Sequence, residues 1–164
     1  MPSRIKPILG AAILAFLAGC IRSEPSVFEM IATDEELSIF ASLLEDAELD
    51  DDLDFGPFIA YTVFAPNNDA FARLPPGTLG ALRDPANRAT LSAVLRYHIL
   101  DGGRDTGYFA QSGPDHMTRA DNLVRVVATG NGLLVDGVST SLTDRIAVNG
   151  IVHVVEGLLI PSPD

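Results

Sequence analysis

Three histidines, His98, His116 and His153, carry the side chains best suited to acid–base or metal chemistry at neutral pH. Their spacing supports neither use, because they are scattered, with no His-Glu-x-x-His and no Cys/His cluster of metal-ligand spacing. Gly137-Val138-Ser139-Thr140-Ser141 approaches a nucleophile elbow but lacks the closing glycine. No glycine loop of the phosphate-cradling type occurs. Asp50, Asp52 and Asp54 have the 1, 3, 5 spacing of a calcium loop, yet the sixth position is Phe55 instead of Gly and the twelfth is Tyr61 instead of Glu. A solvated acidic loop is the main reading of that stretch, with weak cation binding by the cluster as the alternative. Acidic pairs are plentiful, but abundance assigns no acid or base. The residues therefore point to a protein that is not an enzyme, with no cofactor and no metal ligand set.

The single cysteine, Cys20, allows no intrachain disulfide. It closes a distinctive N-terminus. Arg4 and Lys6 precede an uncharged apolar run, Ile8 to Leu17, and small residues follow. Ten apolar residues are too few to cross a bilayer, which needs about 20 in a helix. The parts are those of a secretory signal, and Leu17-Ala18-Gly19-Cys20 resembles the cleavage box of bacterial lipoproteins. The resemblance implies a signal peptide over 1–19, cleavage before Cys20 and lipidation of its sulfur and amine. Residues 20–26 would then be a tether. Ordinary secretory cleavage, leaving a free thiol, is the alternative. Ile21 follows the cysteine where an Asp would signal inner-membrane retention, so the resemblance favours the outer membrane.

Loss of Arg4 and Lys6 with the leader leaves nine basic residues, all Arg, against 22 acidic ones, a formal charge of −13. Nucleic acid is a poor partner for such a surface, since phosphates need a basic footprint. Anionic headgroups would repel it too, so the lipid, not the protein's charge, would supply membrane attachment.

The elements that would position these residues change character along the chain. Ser26-Val27-Phe28-Glu29 and Thr33-Asp34-Glu35-Glu36 read as capping boxes, each opening an amphipathic helix. The second carries Leu37, Phe40, Ala41 and Leu44 at helical spacing. Seven acidic residues between Glu45 and Asp54 then read as a charged loop. Phe58 to Pro66 is predicted as a strand, with Asn67 or Asn68 capping a short helix, Asp69 to Leu74. Asp84-Pro85 opens a helix to about Tyr97 in which Leu91, Val94, Leu95 and His98 form a buried stripe. Short strands follow at Met117–Thr118, 123–128, 133–135, 145–148 and 151–160, with Asn131-Gly132 as a tight-turn signal. The last strand, apolar on both alternating sets, is expected to be central and to bury Val154 and Leu158 on one set. Helices first and strands later argue for one α+β domain.

Two stretches resemble the signature boxes of the fasciclin domain: Thr62-Val63-Phe64-Ala65-Pro66-Asn67-Asn68-Asp69-Ala70-Phe71 and Asn149-Gly150-Ile151-Val152-His153 through Pro161. Tyr97-His98, between them, resembles the family's Tyr-His motif. The resemblance covers residues 27–161. It departs at Asn67, where Thr is frequent, and at Glu156, where Asp is commoner. It implies an α+β fold with N-terminal helices packed on a compact sandwich or barrel of short strands. It also implies that Thr62, Phe64, Pro66, Asn68, Asp69, Phe71, Tyr97, His98, Asn149, Gly150, His153 and Pro161 are structural, with Asp69 as the hydrogen-bond partner of His98. The expected function is non-catalytic adhesion or interaction at the envelope with an unknown protein or glycan partner. Periplasmic binding of a small apolar ligand or pigment is the alternative. An exposed patch of large side chains would favour the first, an enclosed apolar pocket the second.

Overall fold

The computed structural model describes residues 24–54 and 59–161. The segment read as a signal peptide, 1–19, and Cys20 lie outside the described residues. The chain opens with helix α1 (Val27–Ala32), which Ser26 caps by accepting from the Glu29 N–H at 3.0 Å. The second capping box behaves differently from expectation. Thr33 closes α1, its hydroxyl donating to the Glu29 carbonyl, and Asp34 opens the next turn by accepting from the Glu36 N–H. A 3₁₀ turn, Glu35–Leu37, leads into α2 (Ser38–Asp46), which buries Phe40, Ala41, Leu43 and Leu44.

The acidic stretch is not simply a loop. Asp50–Asp54 forms α3, anchored by Leu53, which is fully buried, while Leu49 is buried just before it. Its first-turn aspartates sit where a helix's dipole favours negative charge. Several carboxylates of the stretch have partners. Asp46 meets Arg83 at 3.5 Å, Glu48 meets Arg88, Asp52 meets Arg119 at 3.9 Å, and Asp54 accepts from the Ser26 hydroxyl.

Strand β1 (Tyr61–Pro66) is followed by α4 (Asn68–Ala72), α5 (Thr78–Arg83) and α6 (Arg88–Tyr97). Asn67, not Asn68, caps α4, accepting from the Ala70 N–H. Asp84 and Pro85 open a 3₁₀ turn that runs into α6. The remaining elements are β2 (Ile99–Asp101), α7 (Thr106–Gln111), β3 (Asp115–Met117), β4 (Leu123–Thr129), β5 (Gly132–Val135), β6 (Val138–Ala147) and β7 (Gly150–Val155). The last strand therefore stops five residues short of Ile160. Leu158 falls beyond it, partly buried, and shares no strand face with Val154.

The strands form one sheet in the order β2-β1-β7-β6-β5-β4-β3, antiparallel throughout except for the parallel β1–β7 pair. The sheet curls until its edges meet. Just past β3, the Arg119 N–H donates to the Ile99 carbonyl of β2 at 2.8 Å. Two turns set the antiparallel registers. Thr129 opposes Gly132 across Gly130-Asn131, and Val135 opposes Val138 across Asp136-Gly137. Both residues of the second pair have positive φ (49° and 81°), which suits a two-residue hairpin turn whose twist matches the strands.

Strands β1 and β7 separate two apolar layers. Val63, Ala65, Val152 and Val154 face the helical layer with Phe40, Leu44 and Leu95. Phe64 and Val155 face the inside of the curled sheet, with Phe109, Val126 and Leu133. Covering both faces requires strands apolar on both alternating sets, which is how these two read. The result is the expected α+β architecture of helices on a barrel-like sheet.

Candidate functional site

The motif residues divide by what they hold. Asn149 is 1% exposed in the β6–β7 turn. Its Oδ1 accepts from the Val27 N–H at 2.7 Å and its Nδ2 donates to the Leu53 carbonyl at 2.7 Å. Its own carbonyl accepts from Tyr61 N–H at 3.0 Å. One side chain thus ties α1 and α3 to the start of β1. Gly150 follows because nothing larger fits: a Cβ there would stand 2.2 Å from the Tyr61 carbonyl oxygen and 2.8 Å from Val27 Cγ2. Thr62 donates to the Gly102 carbonyl at 2.6 Å and accepts from Arg104 N–H at 2.8 Å. Pro66 ends β1, and Phe71 is buried on the inner side of α4. Asn68 reaches across to the helical layer, accepting from Ile39 N–H and donating to the Glu35 carbonyl and the Ser38 hydroxyl. Pro161 is the last described residue.

His98 is fully buried on the α6 stripe, as expected, beside the Phe40 ring. Its partner is not Asp69. Nδ1–H donates to the Val94 carbonyl at 2.8 Å, and Nε2 accepts from Leu159 N–H at 3.0 Å. Asp69 lies exposed in the first turn of α4. The bonds fix a neutral ring, and burial pushes its pKa down to about 4 against the weaker pull of the Val94 carbonyl and Asp136. His153 is also fully buried. Nε2–H donates to the Arg104 carbonyl at 2.9 Å, Nδ1 accepts from Asp144 N–H at 3.3 Å, and the ring stacks on Phe64. Burial likewise lowers its pKa. His116, 3.3 Å from Arg104 and edge-on to Phe109, is a neighbour of His153, which bonds the Arg104 carbonyl and also meets Phe109 edge-on. His98, beside Phe40 in the helical layer, is thus set apart from His116 and His153, which flank Phe109.

Tyr97 points the other way from His98, into the layer inside the sheet. Its hydroxyl donates to Asp136 Oδ2 at 2.7 Å and lies 3.0 Å from the Leu123 carbonyl. Asp136 Oδ1 accepts from Arg125 N–H at 2.8 Å. Burial, reinforced by the neighbouring carboxylate, raises the Tyr97 pKa and keeps the hydroxyl a donor.

These contacts form one wall of an open cleft of about 790 Å³ at the end of the sheet that carries the β5–β6 turn. Met117 and Leu123 are paired across β3 and β4 and are 55% and 59% exposed. Ile160, 63% exposed, also lines the cleft. Asp115 and Arg125, one step further along the same two strands, are also paired and stand 3.7 Å apart. Alternation explains the display: Val124 and Val126 are buried, so Leu123 and Arg125 must face out. Leu123 reads in sequence only as the start of a short strand, 123–128. Its exposure follows from pairing with the three-residue edge strand β3, which carries no local pattern of its own. Asp136 is not among the residues singled out in the sequence.

The lining is mixed, with Asp115, Asp121, Asp136 and Arg125 among the apolar groups, and the cleft opens to solvent. Such a surface suits recognition of an extended partner group, combining apolar contact with hydrogen bonds and charge.

Comparison with known proteins agrees with the geometry. Residues 35–161 match the family model described as Fasciclin domain. Protein sll1483 of Synechocystis is 34% identical over 140 residues, 85% of this chain and 75% of that protein. Human stabilin-1 is 33% identical over 140 residues, 83% of this chain but 5% of its own length. The solved FAS1 domain pair from the insect cell adhesion molecule fasciclin I shares the fold with a TM-score of 0.66 at 15% identity, covering 84% of this chain and 51% of that one. On the family match and the relatives' identity, this chain is a member of the fasciclin domain family.

Proposed function

We propose that this domain is a non-catalytic interaction module of the bacterial envelope, tethered through lipidated Cys20, which engages a protein or glycan through the cleft bordered by Met117, Leu123 and Ile160. The observation that carries the reading is the exposure of these three large side chains beside a mixed polar and apolar lining. A cluster of large exposed apolar residues rimmed by charge marks an interaction site more often than a simple solvated surface. Use of the fold in an insect cell adhesion molecule supports the reading. An enclosed apolar pocket would have favoured a small ligand or pigment, and this cleft is open and rich in carboxylates.

The test is capture from envelope extract by the lipid-anchored chain in vesicles, compared with a Met117→Asp/Leu123→Asp variant. Both positions are exposed, so the variant's melting temperature should match the parent's. The proposal expects a specific partner band that the variant loses. Equal capture by both proteins would move the binding face elsewhere.

A further inference from the structure

We propose that the opposite end of the sheet, bearing Ile59, Ile146 and Val148, lies against the lipid surface to which the chain is tethered; this rests on the lipid-anchor reading of Cys20. Strand β6 ends and β7 begins where Ala147 opposes Gly150, and β1 begins where Tyr61 opposes Gly150. Ile146, Val148 and Ile59 belong to this end, and all three are exposed, Ile146 at 69%. Ile146 opposes Ile151, which is half-buried and shares its side of β7 with His153 and Val155, so these two isoleucines stand at the open end of the curled sheet's inner face.

The tether leaves from the same place. The Val148 N–H donates to the Pro25 carbonyl at 2.9 Å, fixing the chain's entry beside the exposed isoleucine. Pro25 is five residues after Cys20. At a maximum of about 3.6 Å per residue, that span reaches roughly 18 Å. A domain of this size is roughly 35 Å across. An acyl chain rooted in the bilayer at Cys20 would therefore keep this end within about 18 Å of the headgroups.

Two of the charges nearest Ile146 have partners, although Asp101, opposite Tyr61 at this end, is exposed and α3 with its aspartates is bonded to Asn149 close by. Arg145, beside Ile146, pairs with Asp34 at 2.6 Å. Asp144 is turned inward, its two carboxylate oxygens accepting from the Thr106 N–H and hydroxyl. The apolar groups at this end would gain by leaving water for the interface, and an uncharged, zwitterionic headgroup layer would tolerate the neighbouring Asp101 better than an anionic one. Orientation follows: the cleft bordered by Met117, Leu123 and Ile160 faces away from the membrane, at the far end of the strands, open to partners.

The chain contains no tryptophan, so a single introduced one is a clean reporter. Ile146→Trp and Leu123→Trp, each in the full lipidated protein, would be placed in phosphatidylcholine vesicles with and without brominated acyl chains. The proposal expects quenching at position 146 to exceed that at 123 by at least twofold, with Val148→Trp repeating the result from a neighbouring position. Equal quenching at the two ends, in protein whose intact mass shows acylation, would overturn the apposed face alone. A mature wild-type chain without acyl groups would overturn the anchor and the face with it.

Discussion

His98 has both ring nitrogens committed, one to a helix carbonyl and one to the Leu159 N–H, inside the closed helical layer. Only the neutral ring satisfies both bonds. The folded pKa of about 4 therefore lies below the ordinary 6.5. Between these values the unfolded chain binds the proton and the folded one does not, so stability from this group is complete above pH 6.5 and is lost as pH falls towards 4. The full effect is on the order of 3 kcal/mol. His153, shifted the same way by burial, adds to it. Urea denaturation at pH 7 and pH 4.5 should show the loss. His98→Ala should cost about 1–3 kcal/mol at pH 7 by leaving Leu159 N–H unpaired, and it should flatten part of the pH dependence. A variant as stable as the parent, with an unchanged pH profile, would mean these bonds contribute nothing. The family resemblance suggested Asp69 as the partner of His98. Residue types alone could not choose between that carboxylate and a backbone N–H supplied by Leu159, sixty-one positions away.

Strand β7 is the element on which the helices and the curled sheet both depend. Gly150→Ala should destabilise by about 3 kcal/mol or more, because the added methyl would force β7 off β1 at its first pair. Val154→Ala, which removes a buried side chain without moving the backbone, should cost about 2 kcal/mol. Thermal melts of the two variants would give that ranking, and a reversed order would mean the β1–β7 contact is slack. The central strand was legible because its apolar run stays apolar on both alternating sets. Its end was not. Leu158, Leu159 and Ile160 continue the apolar composition after the ladder stops, and only the fold turns Leu159 back towards His98. The short elements β2 and α7 were missed because three to six residues carry too little periodicity to separate them from loop. The long strand β6 was read only at its end, since its two register shifts break the alternation over Val138–Asp144.

Helix α3 shows how composition misleads at the same scale. Its five residues include four aspartates, and one buried leucine turns the stretch into structure. In a helix, Asp50 and Asp54 share a face but Asp52 points to the other side, so the three carboxylates do not converge as they would in a calcium loop. Arg119 and the Ser26 hydroxyl already engage two of them. Millimolar calcium should therefore shift the melting temperature no more than sodium chloride of equal ionic strength. A calcium-specific rise that Asp50→Asn/Asp52→Asn/Asp54→Asn abolishes would show a cation site here.

At the scale of the whole molecule, the two ends of the sheet have different surfaces. One gathers Pro25, Val148 and Ile146 where the chain enters; the other displays Met117, Leu123 and Ile160 around an open cleft. In the proposed reading that polarity would give a tethered module a membrane side and a partner side, and the membrane side depends on the anchor. The most direct measurement is metabolic labelling with palmitate of the wild-type chain and of Cys20→Ser, followed by intact mass of the mature protein. The account predicts a labelled wild type beginning at Cys20, and an unlabelled variant retained as the uncleaved precursor. An unlabelled wild-type chain cleaved to its mature length would contradict it.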